Sequence, residues 1–173
     1  MPSFWLTFLS IPAFIILLIL GTWQVNRLSW KTDLIKDYNN KFNDHSVKFS
    51  EISNEILNFK YRKIEVSGFF NHNQEINLIG KTYEGNAGYH IITPLTLIDG
   101  NVILINRGWV PKKYLDKKSR IFTLSDELTK VTGLIRMPQE KGYFVPQNEP
   151  QNGFWFTVKP PEILNFLKIN GEK

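Results

Sequence analysis

The sequence predicts a mainly β fold tied to a membrane: one N-terminal transmembrane helix extending into a juxtamembrane helix, then a small antiparallel β-barrel or sandwich with short helices. Three observations carry that expectation. Residues 1–26 hold no charged side chain, and twelve of residues 4–20 are Leu, Ile or Phe. From residue 60 onward the apolar residues alternate with polar ones at period two, the mark of half-buried strands. Asp99-Gly100 sits between two apolar runs, a short-range hairpin signal.

The first element is the anchor, residues 1–26. A spanning helix needs about 20 mainly apolar residues, and residues 4–25 supply that length. At roughly −0.3 to −0.6 kcal/mol for each Leu, Ile or Phe, insertion gains on the order of 5 kcal/mol before Pro12, Thr7 and Ser10 are charged against it. Trp5 and Trp23 mark the two ends, where indole rings prefer the interface. A cleaved signal peptide has a cationic start, a shorter core and a small-residue cleavage site. No Lys or Arg precedes this core and Gly21-Thr22-Trp23 is a poor cleavage site, so a retained anchor is expected.

Residues 27–59 read as a juxtamembrane helical segment. Leu34, Ile35, Tyr38 and Phe42 fall at helical spacing, with Lys31, Asp33, Lys36 and Asp37 on other faces, which predicts that the anchor helix continues into water and lays an apolar stripe on the domain. A second short helix is expected over residues 51–59, with Ser50 as its N-cap.

Residues 60–173 form the β-rich domain. Ile64, Val66 and Gly68 alternate with Lys63, Glu65 and Ser67 in a first strand that closes at Phe69-Phe70, and Asn71-His72-Asn73 reads as a turn. A second strand is expected over residues 75–79, a polar loop over 80–88, and a third strand over 89–97. Pro94 favours an edge or bulge position for that strand. A two-residue Asp99-Gly100 turn leads into a fourth strand, 102–110, which Pro111 stops. Residues 112–126 are a cationic connection, residues 128–137 a fifth strand with Gly133 as a bulge candidate, and residues 142–151 a loop. A short last strand over 154–158 precedes a terminal helix over 162–168, which Pro160-Pro161 opens. The two longest connections, near 80–88 and 112–127, are where loop-borne chemistry is expected.

Composition narrows the function classes. The chain has 173 residues and a formal net charge of +5, with no cysteine and three histidines. Disulfides, iron–sulfur clusters and thiolate zinc sites are excluded. His45, His72 and His90 share no metal-ligand spacing, so no metal site is expected. The one dense basic group is Lys112, Lys113, Lys117, Lys118 and Arg120, interrupted by Asp116. It reads as a solvated loop or a face resting on anionic lipid. Nucleic acid as a partner wants a broader stripe and a recognisable module, and is not expected.

Three runs of residues share an order and spacing with one family. The first is Gly21-Thr22-Trp23-Gln24-Val25-Asn26-Arg27-Leu28-Ser29-Trp30-Lys31. The second is Gly88-Tyr89-His90, Thr93-Pro94-Leu95, then Ile105-Asn106-Arg107-Gly108-Trp109-Val110-Pro111. The third is Gly133-Leu134-Ile135-Arg136, then Phe144-Val145-Pro146-Gln147-Asn148 and Trp155-Phe156. Together they resemble the surfeit-locus protein family, assembly factors for haem–copper cytochrome c oxidase. The resemblance implies a bacterial plasma (inner) membrane or mitochondrial inner membrane, with the soluble domain facing the periplasm or intermembrane space. It implies oxidase subunit I and haem a synthesis proteins as partners beside the lipid bilayer, and a part in handling haem a, with the chain's own cofactor left open. The local charges point the other way: Arg27, Lys31 and Lys36 follow the span, which weakly favours the C-terminal side inside. Family members also close with a second transmembrane helix. Residues 162–169 are too short and too charged for one, so a truncated form or a one-anchor variant is expected. A histidine that the family associates with haem belongs to that closing region and is not transferred to His90.

The residues expected to contact partners are Trp23, Gln24, Arg27, Trp30, His90, Arg107, Gly108, Trp109 and Pro111. Arg27, Arg107 and Trp109 are also the candidates for cofactor contact. Arg27 has two readings: paired bonds to a lipid phosphate or a haem propionate, and interfacial anchoring beside Trp23 and Trp30. Arg107-Gly108-Trp109 has two as well. One is a contact site with a stacking face and a cation; the other is a structural corner, with Trp109 packed inside and Arg107 paired to a carboxylate or to carbonyls. His90 reads as a satisfied strand residue.

No catalytic residue is expected. A membrane-tethered enzyme would need a nucleophile–base pair or paired carboxylates, and Glu65, Glu75 and Glu84 are candidates only because carboxylates can always be named. A periplasmic scaffold or binding protein unrelated to respiration is the remaining class. The anchor itself is testable. Leu17→Arg places a cation near the helix centre at a cost of about 2.5–3.5 kcal/mol, so the variant should be lost from alkali-washed membranes while the parent chain stays.

Overall fold

A computed structural model describes residues 4–49, 59–138 and 141–169. The expected helix over 51–59 therefore lies outside the described residues, apart from Phe59. The chain divides into two compact units, Met1–His45 and Ser46–Lys173.

The first unit is helix α1, Phe4–Asn43, a single 40-residue element that buries no residue. At about 1.5 Å per residue it is twice the length that a bilayer core requires, and it is long and apolar enough to cross a membrane. Polar side chains in it answer to backbone carbonyls: Ser10 Oγ donates to Thr7 O at 3.1 Å, Thr32 Oγ1 to Leu28 O at 2.9 Å, and Thr22 Oγ1 to Leu18 O. Such bonds remove the cost of a hydroxyl in hydrocarbon. The expected juxtamembrane extension is present as far as Asn43, where Tyr38 and Phe42 stack at 6.0 Å.

The second unit is dominated by one six-stranded sheet. Its strands are β1 (Val47–Lys48), β2 (Lys63–Phe70), β3 (Ile76–Tyr83), β4 (Asn86–Leu97), β5 (Val102–Pro111) and β6 (Thr129–Leu134). β1 runs parallel to β2, and the other pairings are antiparallel. The sheet is not closed into a barrel: β6 lies outside β2, and β5 outside β4. β1 places part of the 27–59 segment in the β unit, so that segment contains both helix and strand.

β4 is the hub. Along one edge it pairs first with β3, through Ile92↔Ile76, and then with β2, through Leu95↔Phe70; along the other it pairs with β5. Ile91, Ile92, Thr93, Pro94 and Leu95 are all buried. Side chains alternate between faces, so Ile92 and Leu95 point to opposite sides and each meets its own cluster. Ile92 packs with Ile76, Leu78, Trp155 and Ile163; Leu95 packs with Val66 and Leu97. A strand covered on both faces reads as a continuous apolar run. Pro94 was expected at an edge or bulge, but sits in this central strand. Asn71 N donates to Pro94 O at 2.9 Å, and a strand residue's N–H and C=O face the same edge. The missing donor therefore falls opposite Asn71, where β3 has given way to the end of β2, and only the reciprocal bond of that last pair is lost.

Several other expectations change. The polar loop over 80–88 is mostly strand: β3 and β4 continue to a two-residue turn at Glu84-Gly85, both with positive φ. Left-handed residues at both positions are the twist-matched hairpin turn. The Asp99-Gly100 turn is one residue longer than expected. Leu97 N bonds Asn101 O at 2.8 Å and Gly100 N bonds Leu97 O at 3.0 Å, enclosing Ile98-Asp99-Gly100. Gly133 pairs with Ile64 in unbroken register and makes no bulge. Residues 154–158 form isolated bridges, Leu78↔Trp155 and Glu149↔Phe154, rather than a strand.

The C-terminal segment is held by one amide. Asn148 Oδ1 accepts from Phe156 N at 2.9 Å and Thr157 N at 3.0 Å, and its Nδ2 donates to Thr157 O at 3.2 Å and Glu162 Oε2 at 3.0 Å. This seats Trp155, 2% exposed, against Ile163 of α2 (Pro160–Phe166). Gln74 Nε2 donates to Leu167 O at 2.8 Å, satisfying a carbonyl at the helix end. Asn148→Ala strands several of these groups at once. It should lower stability by about 2–3 kcal/mol, read as an earlier denaturant midpoint of tryptophan emission for the full chain in detergent.

Candidate functional site

The second motif run folds onto itself. Gly88 pairs with Pro111, Tyr89 with Val110 and His90 with Trp109. Residues far apart in sequence thus become cross-strand neighbours, and the structure brings His90, Gly108, Trp109 and Pro111 together with Arg107. Beyond His90 the register shifts: Ile92 pairs with Asn106, so β5 carries one extra residue at Arg107-Gly108. Gly108 has φ +106, a conformation that side chains rarely adopt. Asn106 closes the bulge, its Oδ1 accepting from Gly108 N at 2.9 Å and lying 3.1 Å from His90 Nδ1. Bulges break the strict alternation and re-aim side chains.

The two flanking residues of the bulge have separate surroundings. Trp109 lies against Gly88, where an added Cβ would collide with the indole, and its centroid is 5.6 Å from that of Tyr83. Its Nε1 donates to Lys81 O at 3.3 Å. Arg107 enters a buried polar cluster centred on Glu75. The Glu75 side chain is 2% exposed, that of Arg120 5%, and that of Arg107 16%. Arg120 forks onto both carboxylate oxygens, through Nη2–Oε1 and through Nη1–Oε2 at 3.5 Å. Arg107 Nη1 stands 3.6 Å from Oε2, and Thr93 Oγ1 donates to Oε2 at 3.4 Å.

Arg107 has three further neighbours. Its Cζ is 5.2 Å from the centroid of Phe70, a cation–π distance. Its Nη1 reaches His72 Nδ1 at 3.3 Å, and its Nη2 donates to Thr123 O. His72 Nε2 lies 3.1 Å from Ser125 O. The same Nε2 also lies 3.1 Å from Ser125 N, so it accepts from that amide or donates to that carbonyl according to the tautomer. His72 stacks on Phe70 at 5.5 Å.

Two guanidiniums thus face one carboxylate. Burial pushes the Arg107 guanidinium below its ordinary pKa; the carboxylate of Glu75 opposes this and the like charge of Arg120 adds to it. Arg120 Nε is buried without a hydrogen-bond partner. The cluster carries an excess of positive charge in poorly solvated surroundings, and so favours an added anionic group.

Glu75 entered the sequence reading only as a carboxylate that suggested itself; the roles of Phe70, His72, Thr93 and Arg120 were missed. One signal was available: Arg120 is the one arginine among four lysines in its segment, and arginine is the residue suited to buried, two-pronged ion pairs. Trp23, Gln24, Arg27 and Trp30 lie on α1 in the other unit, exposed, with Arg27 Cζ 5.1 Å from the Trp23 ring centroid. Among the described residues no group of three or more His, Asp or Glu stands close enough to hold a metal ion.

The charge balance is testable. Glu75→Gln keeps the shape but leaves both guanidiniums uncompensated, which should cost about 3–5 kcal/mol. Adding Arg120→Met should recover part of that loss. Both are read from denaturant midpoints of the full chain in detergent.

Comparison with known proteins places this arrangement. The model of the SURF1 family matches residues 11–172. Surfeit locus protein 1 of Gallus gallus is 31% identical over 152 residues, covering 79% of this chain and 49% of the relative. That of Homo sapiens is 30% identical, covering 79% and 51%, and a SURF1-like protein of Caenorhabditis elegans is 31% identical over 170 residues, covering 86% and 52%. The chain therefore spans about half the length of the curated relatives it matches. With the match running from inside the apolar helix to the far side of α2, and the three motif runs within it, this chain belongs to the SURF1 family.

Proposed function

We propose that this chain is a membrane-anchored assembly factor for haem–copper cytochrome c oxidase, assisting maturation of subunit I, with haem a as the group it helps to handle. The role is assembly rather than catalysis. The observation that supports it is family membership over residues 11–172, joined to a helix long and apolar enough to cross a membrane. In this reading α1 holds the protein in a bacterial plasma membrane or the mitochondrial inner membrane. The β unit faces the periplasm or intermembrane space, as the family resemblance implies and against the weak charge bias after the span.

The residues first considered for haem a fit it unequally. Its propionates are carboxylates, and an exposed guanidinium beside an indole, as at Arg27 and Trp23, fits such a group. The positive excess around Arg107 and Arg120 fits an acidic group too. Trp109 does not fit as an open stacking platform, because Gly88, Tyr83 and the Lys81 carbonyl already occupy it.

Deletion in the native organism, followed by complementation, tests the proposal. Membranes of the deletion strain should lose haem a absorbance and subunit I severalfold, and the intact chain should restore both. Arg107→Ala leaves Glu75 and Arg120 paired one to one but frees the Thr123 carbonyl, so restored haem a, measured per unit of accumulated protein, should still fall severalfold. An unchanged oxidase spectrum after deletion would overturn the assembly role.

A further inference from the structure

The connection between β5 and β6 is tied inward at two places and faces outward between them. Arg120 forks onto Glu75 from within a 3-10 segment, Lys117–Thr123. Three residues later Arg107 holds the Thr123 carbonyl, and His72 meets Ser125. Between these ties stand Ile121, 66% exposed, and Phe122, 85% exposed. Because both sides are fixed to a buried network, their outward aim is built into the fold. Leaving two large apolar side chains side by side in water has a cost.

The charge around them identifies what covers them. Lys112, Lys113 and Lys118 are exposed and Lys117 is half-buried. Arg120 is consumed by Glu75, so the outward part of residues 112–123 sets four lysines against Asp116 alone. Even that carboxylate is engaged, accepting from Lys118 N at 3.0 Å. Exposed apolar side chains in a lysine-rich segment suit an anionic bilayer surface, where rings enter the headgroup boundary and ammonium groups meet phosphates. The same chain carries a helix apolar enough to keep this unit beside a bilayer. We infer that the Lys112–Phe122 face docks on anionic lipid, with Ile121 and Phe122 inserted at the headgroup boundary. The inference rests on α1 spanning a membrane and is independent of the oxidase role.

The chain has no cysteine, so Phe122→Cys offers a single labelling site at a position that contributes little packing. The full-length variant, carrying an environment-sensitive fluorophore, is reconstituted into vesicles with brominated acyl chains. The vesicles are phosphatidylcholine alone or phosphatidylcholine mixed with phosphatidylglycerol. Quenching should be at least about twofold stronger in the anionic vesicles. Each lysine at an anionic surface shifts docking about fivefold, so K112Q/K113Q/K117Q/K118Q should abolish the difference. Ile98→Cys, at a position 74% exposed in the β4–β5 turn with no lysine in that turn, is the reference and should not respond to lipid charge. Equal quenching in both vesicle types, or the same response from the Ile98→Cys probe, overturns the inference. A Phe122→Cys probe unquenched in both vesicles that shifts only when solubilised native membrane proteins are added assigns the face to a protein partner and overturns it equally.

Discussion

The β unit depends on the buried carboxylate of Glu75. It sits at the start of β3, and the groups around it come from the end of β2, the 3-10 turn before it, the middle of β4, the bulge of β5 and the connection to β6. That connection has little else to hold it. Leu115 and Leu124 are half-buried, while Ile121 and Phe122 point outward. Hydrophobic burial alone cannot fix a segment with so few inward apolar groups, so charge and hydrogen bonding take over. The price is desolvation of three ions, which is why such clusters specify geometry more than they add stability. The bulge at Gly108 is part of the same device, because it lets Arg107 leave the alternation of β5 and reach Glu75.

Much of the fold was legible because its periodicities are strong. The apolar run of α1 and the alternation of β2 announce themselves, and β5 emerged with almost its full length. The failures have local causes. Residues 80–88 read as a loop because the outer part of the β3–β4 hairpin is exposed on both faces, as at Thr82, Tyr83 and Ala87. With no buried face there is no apolar period to detect. Pro94 argued against a central strand because sequence cannot show that one edge changes partner at that residue. Residues 154–158 looked like a strand because Trp155 and Phe156 are strand formers. They are held instead by the side chain of Asn148, and no local pattern encodes a side chain substituting for a ladder.

The site was half legible. Arg107, Gly108 and Trp109 stood out as a motif, and the β4–β5 pairing explains why Gly88-Tyr89-His90 travels with them: the two segments are one piece of sheet. Glycine at 88 is required by the indole opposite, a constraint between residues 21 positions apart that neither segment shows alone. What stayed hidden was the network behind Arg107. Its members are single residues on five segments, and burial of Glu75 arises only when the whole sheet is assembled. Charge counting read the 112–120 group as solvated, whereas one of its five cations is 4% exposed and structural.

The two units explain each other energetically even though each is built on its own rules. In the proposed reading α1 confines the β unit to two dimensions, so a partner in the same membrane would meet it at an effective concentration of order millimolar without further binding energy. Contacts far too weak for a freely diffusing protein then suffice: a few lysines, one or two exposed rings, a cluster with one unbalanced charge. A weakly holding, membrane-confined β unit can also release what it has positioned. The proposed assembly role calls for that property, since residence time falls with affinity.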